Sequence, residues 1–175
     1  MISSEINNLI REVVDFPKKG ISFKDITPLL MNKDISDKII SEFILRIKDL
    51  EIDAIVGIES RGFLFGFLLA NKLGIPFVPI RKSGKLPCET INFKYDLEYG
   101  SSEIEIHKND IKKNWNVLIH DDLLATGGTA CAAAELIKLS GASVAGFAFV
   151  VSLNYLHPYD KLLHYSSNIF SLVEY

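Results

Sequence analysis

Cysteine, tryptophan and methionine are scarce in this chain, with two, one and two copies in 175 residues. Cys88 and Cys131 show no metal-ligand spacing and no His/Cys cluster accompanies them, so both read as free thiols and no protein metal site is expected. Long apolar runs are missing as well. The longest, Gly62 to Ala70 and Val144 to Val151, fall far short of the about 20 residues that cross a bilayer. The opening Met1-Ile2-Ser3-Ser4-Glu5 lacks the basic-then-apolar pattern of a secretory leader, so a cytoplasmic protein free of membranes is the expectation. Positive charge is not in surplus: 19 Lys and Arg face 22 Asp and Glu, the net charge is −3, and no broad basic surface is offered to nucleic acid. Neither Gly-x-x-x-x-Gly-Lys followed by Ser or Thr nor Gly-x-Gly-x-x-Gly occurs, which sets aside the P-loop and the dinucleotide fingerprint. Repeats, low-complexity tracts and linkers are absent too. A content of 48% hydrophobic and 23% charged residues suits one domain over 1–175.

What is present centres on Val117-Leu118-Ile119-His120-Asp121-Asp122-Leu123-Leu124-Ala125-Thr126-Gly127-Gly128-Thr129. A short β-branched run reads as a buried parallel strand, and two carboxylates are expected to close it. Small residues and a glycine pair follow. Thr129 is then expected to open a helix over Ala130–Leu139. Strand, tight loop and helix start aim free backbone N–H groups at a phosphate. A site that held only phosphate would avoid adjacent negative charge. Asp121 and Asp122 therefore want sugar hydroxyls, a metal, or positive charge that develops during reaction, and a ribose phosphate supplies all of these. The plainer alternative is a strand that ends in a solvated acidic turn.

Along the chain, Ile6, Leu9, Ile10 and Val13 fall at helical spacing and predict a helix that stops before Asp15-Phe16-Pro17. Residues 16–28 read as irregular, with Phe23 either a core staple or a ring for a planar ligand. Asp34 is expected to cap the next helix, whose buried face holds Ile39, Ile40, Phe43, Ile44 and Ile47. Strands are expected at Asp53–Ile58 and Ile75–Ile80 around an apolar helix ending at Gly74, and again at Ala145–Ser152. Strands alternating with helices give an α/β fold, a parallel sheet flanked by helices. Glu59–Gly62, Arg81–Pro87 and Asp121–Thr129 all sit at carboxyl ends of strands, where such folds bind ligands. Thr90–Tyr99 and Ser102–His107 alternate polar and apolar residues, which predicts an antiparallel hairpin projecting from the sheet, a small hood over about 82–107 with a mobile approach. Phe170–Val173 can form a last strand.

For a ribose carrying a 5′-phosphate and a 1-pyrophosphate, Ser60 and Arg61 offer N–H groups and a planar cationic fork, and Arg81, Lys82 and Lys85 add charge. The alternative for the latter run is a solvated basic loop. Departure of pyrophosphate leaves oxocarbenium character at C1′, which the acid pair can stabilise. Mg2+ would bind mainly through substrate phosphates and water and needs few protein ligands. Glu98 is a candidate acid/base for the incoming base, or simply a solvated turn carboxylate.

The loop resembles the phosphoribosyl-diphosphate signature of the type I phosphoribosyltransferases, and its wording Asp-Asp-Leu-Leu-Ala-Thr-Gly-Gly-Thr resembles the adenine-specific branch. Further blocks match in order: Phe16-Pro17 through Phe23-Lys24-Asp25-Ile26-Thr27-Pro28, Glu59-Ser60-Arg61-Gly62-Phe63-Leu64-Phe65-Gly66, Arg81-Lys82-Ser83-Gly84-Lys85-Leu86-Pro87 and Tyr95-Asp96-Leu97-Glu98-Tyr99-Gly100. The resemblance covers roughly residues 15–152. It implies the type I phosphoribosyltransferase fold and a purine-salvage transfer of adenine and phosphoribosyl diphosphate to AMP and pyrophosphate. It also implies that Phe23 and Leu123 sandwich adenine while backbone around Ser22–Lys24 reads its edge. Ser60 and Arg61 would hold pyrophosphate, and Arg81 would reach into a neighbouring site of a homodimer. Glu98 and Tyr99 would belong to the hood, and Ala125, Thr126, Gly127, Gly128 and Thr129 would grip the 5′-phosphate. Lys24 stands where many relatives have arginine, Glu59 replaces a common aspartate, and His120 replaces an aliphatic residue. An enzyme for 6-oxopurines should offer a lysine or acidic group to the base, and none is evident. A regulator that senses phosphoribosyl diphosphate would need a DNA-binding module, for which the short N-terminal helix leaves no room.

Overall fold

The computed structural model describes residues 2–96 and 100–175. In chain order the elements are α1 (Ile2–Leu9), β1 (Arg11–Val14), β2 (Ser22–Asp25), α2 (Thr27–Leu30), α3 (Lys33–Ile47), β3 (Ala54–Ile58), α4 (Gly62–Leu73), β4 (Phe77–Lys82), β5 (Thr90–Asp96), β6 (Ser101–His107), β7 (Asn116–Leu124), α5 (Gly128–Leu139), β8 (Ser143–Ser152), α6 (Tyr159–Leu162) and β9 (Ile169–Glu174). One sheet has the order β5-β6-β4-β3-β7-β8-β9, and β1-β2 form a separate ribbon. Strands β4, β3, β7, β8 and β9 run parallel, while β6 joins β4 antiparallel and carries β5 outward.

The core has an apolar layer on each face of the sheet. One gathers α5 residues such as Ala133, Leu136 and Ile137 against Val56, Ile119 and Phe147. The other gathers Ile39 and Phe43 of α3 and Phe65 and Leu69 of α4 against Ile55, Leu118 and Val150. Burial from both sides explains why β3 and β8 are near-continuous apolar runs without polar alternation. Among the described residues, no helix is long and apolar enough to cross a membrane.

Several local expectations differ from what is observed. Helix α1 ends at Leu9, and Arg11–Val14 pairs with Ser22–Asp25, so Val13 lies opposite Phe23 in a ribbon instead of on a helix face. Short-range periodicity could not report a partner strand that arrives later in the chain. Asn32 caps α3, its side chain accepting from Ile35 N at 3.2 Å, while Asp34 sits in the first turn. Strands β5 and β6 form the antiparallel edge of the sheet, joined to β4 where Arg81 pairs with Glu105 and Lys82 with Ile104. Its approach is also pinned by carboxylates, as described below. Helix α4 ends as expected, with Gly74 left-handed at φ +71°.

Candidate active site

Strand β7 does not stop at the acid pair but runs through it to Leu124, with Asp121 beside Phe149 of β8. Alternation then sends the two carboxylates different ways. Asp122 is nearly fully buried, whereas Asp121 is half-buried at the rim of a small cavity of about 80 Å3 that Leu123 to Ala130 and Phe149 complete. The Asp122 N–H donates to Asp121 Oδ1 at 2.8 Å. Burial first, and the neighbouring Asp122 charge second, push the Asp121 carboxyl well above the ordinary range. Burial also raises Asp122, against the pull of Arg61. Arg61 Nε stands 2.9 Å from Asp122 Oδ2, an ion pair whose angle falls short of a hydrogen bond.

The start of α4 lies directly against this strand. A Cβ at Gly62 would come within 2.9 Å of both Asp121 Oδ1 and the His120 carbonyl oxygen, so only glycine permits the approach. That approach is what brings Arg61 to Asp122. The preceding Glu59–Ser60 peptide is cis, and Ser60 is exposed at the turn.

Beyond β7 the chain turns at Gly127, left-handed at φ +82°, and α5 begins at Gly128, one residue before the expected start. No side chain caps this helix, so its first N–H groups face the cavity that Thr126 to Thr129 line. Sequence reasoning placed the turn correctly but read Thr129 as the opener, because the left-handed residue that starts the helix is itself a glycine.

The basic loop is organised by acidic residues that the sequence did not single out as such. The Glu59 carboxylate accepts from Lys85 Nζ at 2.5 Å, from Lys82 N at 2.9 Å and from Arg81 Nε at 3.3 Å. Burial would raise its pKa, but these donors outweigh burial and hold it at about 2. Glu105, buried on β6, accepts from Lys85 N at 2.8 Å and Leu86 N at 2.7 Å. Its neighbours Ile104 and Ile106 pack inward, so alternation alone would place Glu105 in solvent. The 85–86 loop covers that face instead. Lys82 keeps an exposed position at the end of β4.

On the ribbon, Phe23 faces the loop: the Arg61 guanidinium lies 5.0 Å over its ring and Phe16 meets it edge-on at 5.2 Å. Ser22 and Lys24 alternate to the other face. Ser22 bonds Glu12, while Lys24 Nζ pairs with Glu12 at 3.0 Å and sits 4.2 Å over the Tyr175 ring. Leu123 packs at the edge of the α3–α4 layer. Phe23, Arg61 and Asp122 thus form one contact chain, with Asp121 next to it and the 125–129 loop beyond. Glu98 and Tyr99 lie outside the described residues. His120 sits within β7, fully buried, its ring edge-on to Phe43 at 5.4 Å.

An uncapped helix start and a cationic loop at the carboxyl ends of neighbouring strands suit an anionic ligand such as a phosphate. The family model described as the phosphoribosyl transferase domain matches residues 24–173. The adenine phosphoribosyltransferase of Christiangramia forsetii is 48% identical over 171 residues, covering 98% of this chain and 99% of that protein. The crystal structure of adenine phosphoribosyltransferase from Thermoanaerobacter pseudethanolicus superposes with a TM-score of 0.96 at 44% identity, over 100% of both chains. The Saccharomyces cerevisiae enzyme, crystallised with D-2,5-dideoxy-2,5-imino-altritol 1,6-bisphosphate and adenine, gives a TM-score of 0.92 at 42% identity over 98% of each chain. The chain belongs to the adenine phosphoribosyltransferase family of the phosphoribosyltransferases.

Proposed function

We propose that this chain is a purine-salvage enzyme that converts adenine and 5-phospho-α-D-ribose 1-diphosphate to AMP and pyrophosphate, working as one catalytic unit over 1–175 with a hood at 82–107. The observation that carries this reading is the Phe23–Arg61–Asp122 contact chain, which joins a flat aromatic surface to an acid pair beside an uncapped helix start.

In this reading Ala125, Thr126, Gly127, Gly128 and Thr129 bind the 5′-phosphate through backbone N–H groups and hydroxyls. Asp121 and Asp122 accept hydrogen bonds from the ribose hydroxyls and stabilise positive charge at C1′ as its bond to pyrophosphate breaks. The electron pair leaves with pyrophosphate, which Ser60, Arg61, Arg81, Lys82 and Lys85 receive. A ring nitrogen of adenine forms the new bond to C1′, and Glu98 takes its proton. Phe23 and Leu123 hold the ring between them, and backbone near Ser22–Lys24 reads the base edge, the Lys24 side chain being turned to Glu12. Tyr99 belongs to the hood.

A hard cation such as Mg2+ keeps water and substrate oxygens as most of its ligands and needs few from the protein. Asp121 and Asp122 are the residues that would hold Mg2+ together with the substrate. When bound, it supplies positive charge to the departing pyrophosphate. We place the protein in the cytoplasm and assign it a homodimer. The outer face of α4 supports a second copy, since Leu64, Phe67 and Leu68 are 41%, 56% and 45% exposed on one side of the helix. Arg81, held by Glu59 within one chain, would reach toward the neighbouring site.

The test is nucleotide formation from phosphoribosyl diphosphate, Mg2+ and each of adenine, hypoxanthine, guanine, xanthine, uracil and orotate. AMP from adenine alone is expected. Turnover of another base would keep the phosphoribosyl chemistry and overturn the base assignment. Binding of phosphoribosyl diphosphate without any turnover would point to a sensor instead.

A further inference from the structure

Strand β5 packs on α5, and its inner face is apolar: Ile91, Phe93 and Tyr95 lie against the layer that α5 builds. A phenylalanine would fill the position of Tyr95 equally well as far as packing goes. Its hydroxyl, however, lies 3.2 Å from Thr129 Oγ1, on the second residue of α5. The same end of the strand overhangs the helix start, since a Cβ at Gly128 would lie 4.0 Å from the Asp96 carbonyl oxygen. Among the described residues the edge hairpin therefore touches the 125–129 loop through the Tyr95–Thr129 hydroxyl pair.

A threonine hydroxyl has one proton and two lone pairs. In the empty loop either oxygen of the Tyr95–Thr129 pair can donate. An anion in the loop removes that freedom. Thr129 must then give its proton to the anion and accept from Tyr95, and the charge polarises the whole chain of donors. We infer that Tyr95 is a positioning residue for the sugar 5′-phosphate: by donating to Thr129 it fixes the direction of that hydroxyl and ties the β5–β6 hairpin to occupancy of the loop. This rests on the reading of residues 125–129 as the phosphate site.

The test is a double-mutant cycle read by calorimetry with ribose 5-phosphate as the probe. Tyr95→Phe should weaken binding about fivefold and Thr129→Val about tenfold, while the double variant should bind no more weakly than Thr129→Val alone. Thr129→Ser, which keeps the hydroxyl, should preserve the effect of Tyr95→Phe. Amide hydrogen exchange in β6 should slow when ribose 5-phosphate binds the native protein, and this protection should be lost in Tyr95→Phe at an unchanged thermal midpoint. Wild-type affinity in Tyr95→Phe, or losses that simply multiply in the double variant, would overturn the inference while leaving the phosphate loop standing. Unchanged affinity in Thr129→Val would instead remove the loop reading, and the inference with it. A drop in thermal midpoint with hairpin protection retained would reduce Tyr95 to packing and also overturn it.

Discussion

Arg61 Nε stands 2.9 Å from Asp122 Oδ2 while the same guanidinium covers the Phe23 ring at 5.0 Å. One side chain thus links the aromatic surface assigned to the base with the carboxylate assigned to the ribose. Arg61 also opposes the effect of burial on Asp122, since burial raises that carboxyl and the guanidinium lowers it. In Arg61→Met the lowering is lost and the Asp122 pKa climbs further. If ionised Asp122 serves the reaction, the acid limb of the kcat/KM profile moves to higher pH, and kcat falls as well. A pH–rate series on the variant checks this, and an unmoved acid limb would separate Arg61 from Asp122 in function.

Asp121 carries the opposite lesson. Its carboxyl is raised by burial and by the Asp122 charge. A carboxyl whose folded pKa exceeds its unfolded value near 3.8 costs stability as pH rises above that value. Asp121→Asn removes the cost at neutral pH and should stabilise the fold by about 1 kcal/mol, or about 2–4 °C in midpoint. If, as proposed, the ionised Asp121 carboxylate stabilises charge at C1′, the same change should lower kcat by about a hundredfold. Thermal unfolding at pH 7 and steady-state kinetics check both halves. A variant that is less stable and fully active would show that the pair is structural.

Glu59 is the residue that makes a basic loop out of Arg81, Lys82 and Lys85. Its folded pKa of about 2 lies below the ordinary 4.5, so its stabilisation is fully present above pH 4.5 and is lost as pH falls toward 2. The difference corresponds to an upper bound of about 3 kcal/mol. Glu59→Gln should therefore lower the denaturant midpoint at pH 7, with the gap to wild type closing below pH 4.5. It should also raise KM for phosphoribosyl diphosphate more than it lowers kcat, because Arg81 and Lys85 lose their common anchor. Equal stability at pH 7 would mean the ion pairs contribute nothing net.

Much of the fold was legible because both apolar layers leave continuous runs. Ala54–Ile58 and Val144–Val151 have no polar alternation, and that pattern needs helices on both faces. What escaped was non-local. The pairing of Val13 with Phe23 depends on a strand that the chain supplies later, and the burial of Glu105 depends on a loop folding over its face. The loop 125–129 was readable from its small residues, while the part of Glu59 was not. A glutamate beside Ser-Arg-Gly carries no local mark that three donors from residues 81–85 will gather on it. Resemblance named Arg61 as a cation for pyrophosphate, but its contacts to Asp122 and Phe23 needed coordinates.

The two glycines at the start of α5 should separate fold from binding. Gly127 is left-handed, and an added Cβ would meet the Pro158 carbonyl oxygen at 3.1 Å. Gly127→Ala should cost about 1 kcal/mol or more of stability. Gly128 has no such constraint: among the described residues its added Cβ meets Thr126 Oγ1 at 3.9 Å and Asp96 O at 4.0 Å. Gly128→Val should keep a near-native midpoint yet fill the cavity and abolish ribose 5-phosphate binding. Calorimetry beside thermal unfolding decides this, and normal affinity in Gly128→Val would move the phosphate elsewhere.

His120 should report on acid stability without touching the reaction. The ring is fully buried against Phe43, with Gly66 close enough that a Cβ there would lie 3.2 Å from His120 Cδ2. Neither ring nitrogen reaches a hydrogen bond of good geometry among the described residues, although the Ala148 backbone gives the charged form partial support. Burial wins and brings the pKa from 6.5 to about 4. The unfolded chain therefore takes up a proton below pH 6.5 that the fold refuses until about pH 4, so stability is full above 6.5 and drains away as pH falls through that window. His120→Leu keeps an apolar group of similar bulk and removes the titration. Its denaturant midpoint should stay flatter than wild type between pH 6.5 and about 4, with kcat near the native value because the ring packs on Phe43 of α3 and beside Gly66 of α4. Glu59 loses its contribution mainly below that window, so the slopes can be told apart by measuring Glu59→Gln in the same buffers. A wild-type slope in His120→Leu would mean that the proton enters elsewhere, and a collapse in kcat would tie the buried ring to Asp121 through their shared strand.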